Sequence, residues 1–103
     1  MRLTKNTIFM PVLFRYNGIE YRLWTNDHVP PHIHVRPAQA RPEWEVIVYL
    51  GDEANGDTDE FGKSFGDTEI VRGPIKTSTI NDLVAHLKPR RSHAWAKWKE
   101  IHG

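Results

Sequence analysis

Apolar positions recur with a period of two over the first half of the chain and switch to a helical period near residue 80. Ile8 to Tyr16 is an apolar and aromatic run with Pro11 near its start, where proline costs a strand least. Asn17-Gly18 follows, and then Ile19-Glu20-Tyr21-Arg22-Leu23-Trp24, in which Ile19, Tyr21 and Leu23 fall on one face. An Asn-Gly pair between two apolar runs predicts a hairpin, because both central residues of its tight turn need positive φ. Thr25 to Pro31 reads as a turn, since Val29-Pro30-Pro31 restricts φ and removes two N–H donors. His32-Ile33-His34-Val35 reads as a short strand. The punctuated stretch Arg36-Pro37 to Arg41-Pro42 leads to a fourth strand over Glu43 to Leu50. Gly51 to Gly66 carries four glycines and little apolar content and reads as a long mobile loop. Thr68 to Val71 is a further candidate strand.

Ile80, Leu83, Val84 and Leu87 stand at i, i+3, i+4 and i+7, one face of a helix. Ser78 or Thr79 is the candidate cap. Pro89 is expected to end or kink that helix, and Ser92 to cap a second one running through Trp95 and Trp98. The sequence contains no internal repeat. Together these elements predict an α+β fold. An antiparallel sheet of three to five strands with an N-terminal hairpin is followed by two C-terminal helices packed on one face. The expected organisation is a single domain over 1–103, with sheet 7–50, an acidic loop 51–73 and a helical segment 77–102.

The length of 103 residues fits one domain. No cysteine is present, which excludes disulfides, thiolate nucleophiles and thiolate zinc sites. No apolar run approaches the ~20 residues of a membrane helix, and the start lacks the pattern of a secretory signal. The expectation is therefore a soluble, cytoplasmic protein without a membrane partner. The formal net charge of +1 conceals a strong asymmetry. Residues 1–41 hold six Arg or Lys against two acids, and residues 51–69 hold seven acids against Lys63. From His86 onward five bases and three histidines face Glu100 alone. Two basic stretches flank an acidic one, so local fields matter more than the total.

The most informative stretch is Asn26-Asp27-His28-Val29-Pro30-Pro31-His32-Ile33-His34-Val35. On a strand His32 and His34 share one face, about 6.6–6.8 Å apart at Cα, while Ile33 and Val35 share the other. Ile33 and Val35 suit a core, which sends the histidines outward or into a cleft. The Pro-Pro turn would present Asp27 and His28 to the same place. Three readings stay open. In one, His32, His34 and either His28 or Asp27 supply the ligands of a divalent metal ion, since imidazole with carboxylate suits zinc, manganese or iron. In another, the imidazoles are the general acid and base of a metal-free site. In the third, the side chains only hydrogen-bond within a tight loop.

The Asp-His-x-Pro-Pro-His-x-His string resembles the signature of a family of small bacterial proteins catalogued as domain of unknown function 4160. The matching positions are Asn26, Asp27, His28, Pro30, Pro31, His32, His34 and Val35, and more loosely Trp98 and His102. The likeness covers about residues 8–50 and 75–103, whereas the acidic segment Gly51 to about Gly73 is longer than the family's connection. The resemblance implies a small bacterial module with no settled activity, encoded beside another short protein. That arrangement resembles toxin–antitoxin gene pairs, whose small α+β toxins are frequently ribonucleases.

Other features carry less. Asp57-Thr58-Asp59-Glu60-Phe61-Gly62 resembles a calcium loop but has Phe61 and Thr68 where the fifth and twelfth positions need oxygen ligands, so it reads as solvated acid. A docking surface for a basic partner is the functional counterpart of that reading. Lys88, Arg90, Arg91, Lys97 and Lys99 with Trp95 and Trp98 combine charge and π surface as RNA contacts do. The competing reading makes both tryptophans core. If Arg15, Arg22 and Arg36 shared a face with these bases, a phosphate-binding cleft would form. Dinucleotide, P-loop and zinc-protease motifs are all missing from the sequence.

The sequence therefore points to a toxin–antitoxin-type module acting on or binding RNA, with a small cognate protein partner. Its catalytic candidates are His32, His34, His28 and Asp27, and its phosphate contacts Arg22 and Arg36. The reaction, if there is one, would be phosphodiester hydrolysis or transfer. The alternative is a non-catalytic protein-binding module in which the Pro-Pro-His-x-His turn is structural.

Overall fold

The computed structural model describes residues 11–24 and 28–102. Five strands, β1 (Val12–Tyr16), β2 (Ile19–Arg22), β3 (His32–Pro37), β4 (Glu45–Tyr49) and β5 (Thr68–Arg72), precede two helices, α1 (Thr77–Leu87) and α2 (Arg91–His102). The strands form one antiparallel sheet in the order β1-β2-β3-β4-β5. This is the expected α+β fold at the upper end of the expected strand count, and Thr68–Arg72 is a genuine edge strand. The hairpin turns at Asn17 and Gly18, with φ of 48° and 74°, the left-handed pair that an Asn-Gly turn requires.

The period-two pattern divides the sheet into unlike faces. Tyr21, Ile33, Val35, Val46 and Val48 are 0–1% exposed and meet Leu83, Leu87, Ala94 and Trp98 from the helices. Burying each such aliphatic side chain contributes about 1.5–3 kcal/mol. Tyr21 Oη adds a bond by donating to the Leu83 carbonyl at 2.9 Å. Burial pushes this hydroxyl up to about 12, so it stays a donor at ordinary pH. The other face carries Arg15, Glu20, Arg22, His34 and Arg36, which the registers Arg15↔Glu20, Glu20↔Arg36 and Arg22↔His34 place side by side.

Pro89 does not end the helical segment. Chain geometry stays helical through the 3-10 turn Lys88–Arg90, with φ/ψ of −48°/−49° at Lys88 and −56°/−47° at Arg91. Proline sits early in that turn, where its missing N–H is least costly. Neither expected cap operates. Helix α1 begins after Lys76 without a side-chain cap, and Ser92 lies inside α2, its hydroxyl donating to Glu53 at 3.1 Å. Among the described residues no helix is long and apolar enough to cross a membrane.

The glycine-rich segment after β4 is folded, which corrects the expectation of a long mobile loop. Asp59 Oδ1 accepts from the backbone N–H of Phe61 and of Lys63, and Thr58 bridges Ser64. Arg91, 9% exposed, anchors the segment by donating to Leu50 O and to Asp57 Oδ1. Trp95 Nε1 donates to Gly51 O at 2.9 Å. The anchoring side chains lie more than thirty residues downstream, so no local pattern announces them.

Candidate functional site

Alternation along β3 puts His32 and His34 on the polar face, yet both are nearly buried, at 7% and 8% exposure. The two ring centroids lie 5.2 Å apart. His32 Nδ1 is 2.7 Å from Pro30 O, and His34 Nδ1 is 3.0 Å from Glu45 Oε2. A carbonyl oxygen only accepts, so His32 Nδ1 carries a proton. Glu45 is held below the usual carboxylate range first by its bond with His34, against the opposing effect of burial, and further by Arg36 and Arg72. Its carboxylate is therefore ionised and accepts from His34 Nδ1. In the neutral form of both rings, Nε2 is then the lone-pair nitrogen.

Aromatic rings continue outward from this pair. Trp24 meets His34 edge-on at 5.5 Å, and Tyr49 lies 5.8 Å from His32. Trp98 lies 5.5 Å from His32 and, tilted by 34°, 4.0 Å from the ring of His102. His102 Nε2–H donates to Trp24 O at 3.2 Å. The last turns of α2 thus reach the ends of β2 and β3.

Both expected phosphate contacts lie on this face, and both meet carboxylates. Arg22 Nε bonds Glu20, which also accepts from Arg15. Arg36 Nη1 lies 3.8 Å from Glu45 Oε1. Among the described residues, the buried donors Trp24 Nε1 and Arg36 Nε beside this site have no hydrogen-bond partner. His28 is exposed, and among the described residues no hydrogen bond or ring contact joins it to His32 or His34. Asp27 lies outside the described residues. Among those described, no group of three or more His, Cys, Asp or Glu side chains is placed to hold a metal ion.

The helix bases do not join the sheet arginines. Helices α1 and α2 cover the apolar face, whereas Arg15, Arg22 and Arg36 lie on the other. Arg90 lies over the Phe14 ring at 4.4 Å, Arg91 is buried, and Lys97 pairs with Glu100. Trp98 is core, at 4% exposure. The cleft conditional on a shared face therefore does not form, and Trp98 offers no open ring to a base.

Sequence reasoning did not single out Glu45, Glu20 or Trp24. Glu45 had one usable signal: with Ile47 and Tyr49 it alternates against the apolar Val46 and Val48, which assigns it to the histidine face. No family model, curated protein or solved structure matches this chain.

The buried carboxylates make stability pH-dependent. Glu20 and Glu45 both sit below the ordinary value of 4.5, Glu20 first through Arg22 and Glu45 first through His34. A depressed folded-state value stabilises the fold above the ordinary value, and that contribution disappears as pH falls through the depressed one. Urea denaturation from about pH 6 to about pH 3 should show stability falling below about pH 4.5. Glu45→Gln should reduce that slope.

Proposed function

We propose that His32 and His34 form an acid–base pair acting on a phosphodiester, with RNA as the substrate class, in a bacterial module of toxin–antitoxin type. The observation that carries this reading is the anchoring of both Nδ1 atoms, by Pro30 O and by Glu45, at a ring separation of 5.2 Å. Fixed tautomers give each ring a defined Nε2. With one ring neutral and the other protonated, the pair supplies a base and an acid in one place. Arg22 and Arg36 put guanidinium charge on the same face, and the unpartnered N–H groups of Trp24 and Arg36 suit an acceptor-rich ligand. The likeness to the family of unknown function supports the bacterial and paired-gene part of the reading.

A second reading, the non-catalytic protein-binding module, is favoured by the near-complete burial of both histidines. There Pro30 and Glu45 simply hold the turn. The two readings separate on RNA cleavage by the wild type and by His32→Gln/His34→Gln, with folding checked by circular dichroism. The acid–base reading expects cleavage to fall by at least ~100-fold, with a bell-shaped pH profile in the wild type. Unchanged cleavage, or none in either protein, supports the binding module.

A further inference from the structure

The folded acidic segment forms one wall of a cleft of about 520 Å³, opposite α2 and beside Val29 and Pro31. Asp52, Asp59 and Glu60 line it, and the aromatic rings of Phe61, Trp95 and Trp98 line it with them. Lys99 supplies its one permanent positive charge, so carboxylates outnumber ammonium groups three to one. We propose that this cleft docks an arginine-bearing segment of another protein.

Charge alone does not carry the proposal. Asp59 is only 8% exposed, and its Oδ1 is taken up by the N–H groups of Phe61 and Lys63. Its Oδ2 is buried and, among the described residues, has no hydrogen-bond partner. Leaving such an oxygen unpaired is costly, so a small shift of Asp59 toward the cleft that let N–H donors of a ligand reach it would be favoured. Guanidinium fits the rest of the lining as well, because it pairs with carboxylates and stacks on aromatic faces, here those of Phe61 and Trp95 and not of the nearly buried Trp98, more readily than an ammonium does.

The rim decides for a protein segment over a free amine. Val29 is 55% and Phe61 45% exposed, and apolar side chains flanking an arginine would cover both. A small polyamine would leave them in water. RNA is disfavoured because its phosphates would meet three carboxylates. A metal ion is disfavoured because, among the described residues, no group of three or more His, Cys, Asp or Glu side chains is placed to hold one. The proposal stands whether or not the imidazoles are catalytic.

The test is calorimetric titration of the full chain with an acetylated, amidated hexapeptide built around Leu-Arg-Leu, with intrinsic fluorescence as a second readout because Trp95 and Trp98 line the cleft. Comparison ligands are the same peptide with Gln for Arg, spermidine, and a short single-stranded RNA. The expected result is saturable binding of the arginine peptide, weakened at high salt. Asp59→Asn and Glu60→Gln should each weaken it by about tenfold. Glu60 is exposed, so its variant keeps the test valid should Asp59→Asn unsettle the loop. No binding, equal binding of the Gln peptide, or affinities unchanged in both variants overturns the proposal. Tighter binding of spermidine than of the peptide makes this a small-amine site, and displacement of the peptide by RNA makes it a nucleic-acid surface. Either result overturns the commitment to a protein segment.

Discussion

Glu45→Ala is expected to lose about 3 kcal/mol of unfolding free energy, the scale for removing one partner of a buried charged pair. Glu45 is 5% exposed and joins two groups on its face, accepting from His34 at 3.0 Å and facing Arg36 at 3.8 Å. Without it the Arg36 guanidinium, 22% exposed at its side chain and already carrying an unpartnered Nε, loses its counter-charge. For a chain of this size the melting temperature should drop by about 15 °C. Glu45→Gln separates two contributions. Its amide oxygen still accepts from His34 Nδ1, so the tautomer survives while the charge is lost, and its destabilisation should be about half as large. If the imidazole pair is catalytic, Glu45→Gln should retain more RNA cleavage than Glu45→Ala when both are assayed well below their melting temperatures. Equal stability of wild type and Glu45→Ala in urea denaturation would show that the carboxylate does not hold this face together.

Gly51→Ala should be the most damaging single substitution in the folded acidic segment. Gly51 has φ of +62°, and a Cβ built there lies 2.1 Å from Asp57 O and 2.6 Å from Phe65 N. Both are backbone atoms, so no side chain can swing aside. The left-handed conformation alone costs a non-glycine residue about 1–2 kcal/mol, and relieving the clash means separating the segment from β4. A total loss of about 4 kcal/mol or more is expected, with little folded protein recovered at 37 °C. Gly56→Ala is the matched control. Its φ is +69° but nothing lies within 4 Å of the added Cβ, so only the conformational cost of about 1–2 kcal/mol should appear. Thermal melts of the two variants together distinguish crowding from backbone strain. Similar melting temperatures would contradict the close packing at Gly51.

The hairpin and the two faces of the sheet were legible because their causes are local. Asn17-Gly18 specifies its own turn, and Ile19, Tyr21, Ile33 and Val35 alternate with polar neighbours closely enough to declare the buried side. Helix α1 was legible for the same reason, through Ile80, Leu83, Val84 and Leu87. Its cap and the effect of Pro89 were not, because tertiary packing against the sheet outweighs the modest preferences that local signals express. The segment 51–66 was misread as mobile because glycine content shows freedom and not its removal. Arg91 and Trp95, which remove it, arrive from α2.

The candidate site divides the same way. Sequence by itself determined that His32 and His34 share a face, since a strand alternates whatever surrounds it. It also determined that the Pro-Pro turn precedes them and that acids cluster after residue 51. Tertiary structure decided which nitrogen of each ring carries the proton, because that depends on Pro30 O and Glu45 lying within hydrogen-bond reach. It decided that Trp98 adjoins His32 across more than sixty residues of chain, with His102 against Trp98, and that the helix bases lie away from the sheet arginines. It also turned a run of carboxylates into the wall of a cleft, with Asp59 Oδ2 buried and unpaired. The physical reason is range. Periodicity and turn chemistry act between residues a few positions apart, whereas hydrogen bonds, burial and charge pairing act through space and are set only when distant segments meet.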